Sequence, residues 1–170
     1  MSDAHERFAA LGREFLTWLW FETERNHGRV NLDGVGPIGV ELTRRLALET
    51  GGAAGENSTV SADTPTVVEE ARVALRTGKK VSSTRLILEV GERQFELAIH
   101  GESFVFSGVK LPTLLTAAED ERLAERFALI EELEAIVDGL YVQFARLRLD
   151  PDAWPETRAA MARWVLASEG

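Results

Sequence analysis

The hydrophobic pattern of the chain is densest over residues 11–21, where apolar and aromatic residues surround a predicted helix on several sides. Phe15 and Trp18 share one face at helical spacing, and Trp20 lies on a different face. A helix that is apolar nearly all round has to be covered by other elements. We therefore predict a helix over residues 2–24 at the centre of the core, with Trp18 and Trp20 contacting different layers.

Alternating apolar and polar residues predict an antiparallel sheet. One strand covers residues 40–49, and Arg44 interrupts its apolar face in a way that is typical of a bulge or a sheet edge. A hairpin turns at Gly91 and Glu92, and a further turn leads into a strand over residues 103–109. The connections are predicted as a loop over residues 28–37, a turn over 51–58 and a short returning strand over 59–62.

Three more helices are predicted by their end signals and periodicity. Thr64 and Pro65 begin a helix that ends at Gly78, and a last short helix opens at Trp154. Between them, residues 119–149 form a long helix in which Gly139 indicates close packing against another element, such as the Trp18 helix. Its apolar residues follow a pattern close to a heptad seam: Leu123, Phe127, Ile130, Leu133, Val137, Leu140, Phe144 and Leu147.

These elements predict an α+β fold. An antiparallel sheet of about four to five strands packs against the N-terminal Trp-rich helix and the long C-terminal helix. A length of 170 residues is enough for one well-buried core, so we predict a single domain over residues 1–170.

Composition and charge narrow the functional classes. The formal net charge is −9, so the overall field repels nucleic acids and membrane surfaces, and polyanion binding has to be local. The absence of cysteine excludes disulfides, thiolate metal sites and a cysteine nucleophile. Neither a signal-peptide pattern nor an apolar run of about 18 residues occurs in the sequence, which predicts a cytoplasmic protein without a membrane partner.

The sequence contains no pattern typical of an enzyme. His5, His27 and His100 lack partners at metal-ligand spacing, and no phosphate-binding loop or nucleophile elbow is present. The acidic residues of the long helix are interpreted as a solvated face. We therefore predict no catalytic residue, no metal, no cofactor and no small-molecule substrate.

One window reverses the overall charge. Residues 71–88 contain five cations and no acid. Two explanations stay open: the cations contact nucleic-acid phosphates, or they gather at a helix C-terminus because the helix dipole favours them there. No aromatic residue is available to stack on bases, so any DNA contact would be made to phosphates, without sequence preference. The candidate DNA-binding residues are Arg72, Arg76, Lys79, Lys80 and Arg85.

Two blocks resemble the recombination-associated RdgC proteins, in particular their shorter bacterial relatives. They are residues 11–20 and residues 70–81, followed by a hairpin and the exit over residues 107–112. The resemblance covers most of this chain and the C-terminal part of the longer family members. It implies an α+β protein that binds duplex DNA without catalysis in recombination or replication and that forms dimers.

Two functions are therefore expected from the sequence. The first is a non-enzymatic, sequence-independent DNA-binding accessory protein of RdgC type, which uses the five cations. The alternative is a protein-interaction or homodimerisation module that uses the seam of the long helix, where Leu140, Tyr141 and Phe144 provide surplus apolar surface.

Overall fold

The structure is a computed structural model that describes residues 2–49, 58–62 and 65–167. Four helices and six strands occur in these ranges. In chain order they are α1 (Ser2–Arg25), β1 (Arg29–Leu32), β2 (Gly36–Glu49), β3 (Ser58–Ala62), α2 (Pro65–Arg76), β4 (Lys80–Val90), β5 (Arg93–His100), β6 (Phe106–Lys110), α3 (Glu119–Leu149) and α4 (Ala153–Leu166).

The six strands form one antiparallel sheet in the order β1-β2-β4-β5-β6. The sixth strand, β3, pairs with β2 beside β1, so β1 and β3 occupy successive parts of one edge of β2 while β4 occupies the other. The predicted α+β class, the N-terminal helix and the long C-terminal helix are confirmed. The sheet has one strand more than the upper number predicted.

One face of the sheet carries the core. Across three neighbouring strands, Val40, Leu88 and Phe95 lie side by side, and all three are buried. Helix α1 covers this face and packs mainly on β4, and α3 joins it from the side of β1. Trp18 contacts Phe144 of α3, whereas Trp20 contacts α4, so the predicted placement of these two rings in different layers is confirmed.

The prediction of a loop over residues 28–37 is wrong. The segment contains β1 and the first residues of β2, joined by a tight turn in which Gly34 has a φ of 79°. Val30 and Leu32 alternate with exposed neighbours and enter the core. Because β1 has only four residues and lies between Gly28 and Gly34, its alternation is too short to be distinguished from a loop in the sequence.

The other predicted strands are present, although the last one begins at Phe106, three residues later than predicted. The hairpin between β4 and β5 turns at Gly91 and Glu92, and β3 returns antiparallel to β2. The pairing of β2 with β4 shifts register between Thr43 and Ala47, where Arg44 predicted an irregularity. The predicted turn over residues 51–58 lies outside the described residues except for Ser58, and the predicted cap Thr64 also lies outside them.

Two backbones meet where α1 crosses the turn between β5 and β6. A Cβ atom built on Gly12 would lie 1.6 Å from the carbonyl oxygen of Gly101, which is possible only because neither residue has a side chain. The N–H of Gly101 donates to the Ser82 carbonyl at 2.7 Å, which ties the same turn to β4. The docking of α1 on the sheet therefore depends on a pair of glycines that are far apart in sequence.

Gly139 of α3 also packs closely, but its neighbour is not the Trp18 helix. A Cβ on Gly139 would lie 3.0 Å from Cδ1 of Leu32, a side-chain methyl group of β1. The predicted close approach is confirmed, and its expected partner is corrected to the strand that the sequence did not reveal.

Candidate interaction surface

The cations of the basic window are mostly bound within the molecule. The guanidinium of Arg72 donates to the Glu24 carboxylate at 2.7 Å and to the Ala167 carbonyl at 3.3 Å, and its side chain is only 7% exposed. Trp20 and Trp164 each donate their indole N–H to the same carboxylate at 2.7 Å. Glu24 therefore joins α1, α2 and α4 through three donors, and Arg72 is part of this network and not of the surface.

Two of the other candidate cations also have close partners. Arg76 donates from Nε to the Val165 carbonyl at 2.9 Å, so Arg72 and Arg76 both bind carbonyl groups at the C-terminus of α4. The negative end of a helix dipole favours cations at this place. Arg85 pairs with Glu96 on the opposite, outer face of the sheet, where Lys110 binds the same carboxylate.

The structure therefore does not bring the five predicted DNA-binding residues onto one surface. Lys79 and Lys80 are half-buried at the start of β4, and the amino group of Lys80 lies 3.8 Å from the Glu14 carboxylate on α1. Carbonyl groups at the C-terminus of a helix, the alternative explanation given above, account for two of the five cations. Their helix is α4 and not the helix that carries the cations. DNA binding stays a prediction, and Lys79 and Lys80 are its candidates that lie next to each other.

Helix α3 divides into a covered half and an uncovered half. From Leu129 to Phe144 its core-facing residues are buried, including Leu140 and Phe144, which are fully buried. Tyr141 packs its ring against Phe15 and Phe104. These three residues were expected to provide surplus apolar surface, and that expectation is wrong because the core of the same chain uses them.

The uncovered half and the residue just after Leu129 carry large apolar side chains that are exposed in the described structure. Leu123 is 57% exposed, Phe127 60% and Ile130 38%. Their spacing of four and three residues places them on one side of the helix. We call this side the α3 face. The heptad pattern predicted these residues correctly as a continuous apolar stripe, but it did not show that the core ends at Leu129.

A carboxylate holds the uncovered half in place. Glu125 accepts hydrogen bonds from the backbone N–H groups of Leu115 and Thr116 at 2.7 and 3.1 Å, and from the Thr116 hydroxyl at 2.5 Å. These bonds, led by that from the hydroxyl, hold the pKa of the Glu125 carboxyl below its ordinary value. The segment before α3 is thereby fixed against the side of the helix that lies away from the α3 face.

A second contact braces the helix farther along. Arg93, at the start of β5, forms a two-pronged ion pair with Glu132, with distances of 2.5 and 2.6 Å. A guanidinium and a carboxylate in this arrangement fix orientation as well as distance. The helix is therefore attached to the body on both sides of Phe127, while Phe127 itself points away from the body.

The charges around the α3 face are unevenly distributed. In an ideal helix Asp120, Glu131 and Glu134 lie within roughly 40° of the direction of Phe127, and Arg122 lies about 140° away. Arg126 lies on the other side of the stripe, about 40° from the direction of Ile130. All five charged residues are exposed. Carboxylates therefore lie around the Phe127 side of the stripe, and the guanidinium of Arg126 lies beside its Ile130 edge.

Other features of the described residues give weaker indications of a functional site. A shallow depression of about 190 Å³ opens between β2 and β4. No group of three or more His, Asp or Glu side chains that could hold a metal ion occurs within the described parts of the chain. No helix in those parts is both long and apolar enough to cross a membrane. The depression is lined by Gly28, Gly39, Val40, Glu41, Ile87 and Glu89.

Comparisons of the chain with known protein families, with curated proteins and with solved structures find no match. The resemblance to the RdgC proteins therefore stays a prediction.

Proposed function

We propose that the chain is a non-enzymatic protein-interaction module that binds its partner through the α3 face. The observation that carries this proposal is the exposure of Leu123, Phe127 and Ile130 on one side of a helix that is otherwise well anchored. Single exposed apolar residues are common on protein surfaces, but a contiguous stripe of them on an ordered element is typical of a binding site.

The shape of the surface supports recognition of a helix. The stripe extends over about two turns, and a helical partner of about 15 residues has the length to cover it together with its acidic border. Such an interface is smaller than that of a permanent complex, so we expect binding in the range of tens of micromolar.

A synthetic helical peptide of about 15 residues tests the proposal, with leucine on one face and glutamine on the other. Its binding to the full chain is measured by fluorescence anisotropy and mapped by NMR chemical shifts. We expect the largest shifts around Phe127 and a loss of binding of at least about tenfold in Phe127→Gln, because aromatic anchors contribute most of such contacts. The folding stability of this variant is expected to stay within about 0.5 kcal/mol of the original chain because the ring is exposed.

Leu149→Gln is the matched control, since Leu149 is 81% exposed on the same helix and about 33 Å from Phe127. The control is expected to bind the peptide like the original chain. Absence of peptide binding, with no self-association in light scattering, would contradict the proposed function. A dimer that is lost in Phe127→Gln would support it.

DNA binding is the second candidate function. It is supported by the adjacent pair Lys79 and Lys80 at the start of β4, where the Lys80 side chain is 44% exposed. A gel-shift titration of duplex DNA at low salt tests it. Each phosphate-contacting cation that is removed should lower the salt slope by about one. Unchanged affinity and slope in the double variant Lys79→Ala with Lys80→Ala would contradict this candidate.

A further inference from the structure

We infer that the partner of the α3 face is a basic amphipathic helix of another protein, in which lysine or arginine residues border a short apolar stripe. This inference rests on the proposed function and specifies its partner. It follows from the charges that surround Phe127, which the apolar stripe alone does not explain.

The carboxylates near the stripe are available to such a partner. Glu131 and Glu134 follow the stripe along the helix, and both are exposed. Asp120 precedes the stripe and is also exposed. Two other acidic residues of the same helix, Glu125 and Glu132, are engaged by Thr116 and Arg93. The acids that point with Phe127 are thus separate from those that hold the helix in place.

The same charges disfavour a second copy of the chain as the occupant. An antiparallel pair of α3 helices centred on Phe127 sets Asp120 of one copy against Glu134 of the other. A parallel pair sets each of these acids against its own equivalent. Like charges across an interface oppose association, whereas a basic helix places an opposite charge beside each carboxylate.

Nucleic acid is also disfavoured at this face. Phosphate groups would meet three carboxylates, of Asp120, Glu131 and Glu134, against the single guanidinium of Arg126, and the net charge of the whole chain is −9. The occupant therefore has to combine apolar side chains with positive charge, which is the composition of a basic amphipathic helix.

Three versions of the synthetic peptide test this inference, with glutamine, lysine or glutamate on the polar face and the same leucine face. At low salt we expect the lysine peptide to bind about tenfold more tightly than the glutamine peptide, and the glutamate peptide to bind more weakly. Added salt should remove most of the difference between them, because exposed charges are screened.

The triple variant Asp120→Asn, Glu131→Gln and Glu134→Gln should lose the preference for lysine but still bind the glutamine peptide. Its control is a second triple variant with the same change in net charge at exposed acids elsewhere. The control should keep the preference. The control substitutions are Glu92→Gln, Asp152→Asn and Glu156→Gln.

The outcomes separate the two proposals. Equal binding of the lysine and glutamine peptides would overturn the inference and leave the proposed function standing. Equal loss of preference in both triple variants would also overturn it, because the attraction would then come from the net charge. A dimer that depends on Phe127 would identify a second copy as the occupant. Absence of binding by every peptide, without a dimer, would overturn the inference and the proposed function together.

Discussion

Replacement of Gly12 by alanine tests the closest backbone approach in the structure. The new Cβ would lie 1.6 Å from the Gly101 carbonyl oxygen and 2.5 Å from the Gly101 carbonyl carbon. Both atoms belong to the backbone of a turn that is itself hydrogen-bonded to Ser82. A rotamer change cannot relieve the clash, so α1 and the turn would have to separate by about 1.4 Å before this contact reached 3.0 Å.

The free-energy cost of that separation depends on the buried side chains of α1. Phe15 is fully buried, and the centroid of its ring lies 5.8 Å from that of Phe104 and 5.7 Å from that of Phe144. Movement of the helix therefore opens aromatic contacts on two sides. Overpacking typically costs 1–3 kcal/mol, and alanine returns about 1 kcal/mol through its higher helix propensity. Because backbone atoms form the obstacle, we place the overpacking cost above that typical range, at about 4 kcal/mol, which leaves a net loss of about 3 kcal/mol.

Urea unfolding followed by tryptophan fluorescence measures this loss, and thermal unfolding should show a decrease in Tm of about 6–12 °C for a chain of this length. Gly139→Ala is the matched control, because it also places alanine inside a helix but meets only side-chain atoms, those of Leu32, the nearest of them at 3.0 Å. The control should stay within about 1 kcal/mol of the original chain. If Gly12→Ala is as stable as Gly139→Ala, the backbone contact with Gly101 is not a rigid constraint and the reasoning is wrong.

Three further changes probe other parts of the structure. Glu24→Ala should destabilise the fold by about 2–4 kcal/mol in urea unfolding, because it leaves the buried guanidinium of Arg72 without its carboxylate; a loss below about 1 kcal/mol would show that the network is unimportant. Trp18→Ala should cost about 3–5 kcal/mol, since the ring is 2% exposed, and near-original stability would refute its place in the core. The pKa of Glu125 is lowered in the folded state, so its contribution to stability is present above the ordinary pKa of about 4.3 and is lost as the pH falls through the folded value. An NMR titration should show the lowered pKa, and Thr116→Val should raise it; an unchanged pKa in that variant would contradict the assigned cause.

The elements predicted best from the sequence are those with signals at both ends. Helix α3 begins at Glu119 and ends at Leu149, as predicted, because acidic residues mark its first turn and Asp150 with Pro151 ends it. Strand β1 was missed because its four residues lie between glycines, so its alternation is too short to outweigh the turn signals around it.

The candidate site was only partly predictable. The heptad spacing predicts the stripe that contains Phe127. Whether another element covers this stripe depends on how far β1 and the rest of the sheet extend along α3, and the spacing does not show that. The cations show the same limit, because Arg72 meets Glu24, 48 residues away, and Glu24 meets Trp164, 140 residues away. Such partners are brought together by the tertiary fold, and a local charge pattern cannot identify them.

The division of α3 into two halves also implies a gradient of amide hydrogen exchange along one continuous helix. Amides near Leu140 lie in the part that packs into the core, so they should exchange only when the whole domain opens. Amides near Leu123 are protected mainly by bonds within the helix and can open by local fraying at a much lower free energy. A bound partner would therefore be detected as slower exchange in the first half, with little change in the second.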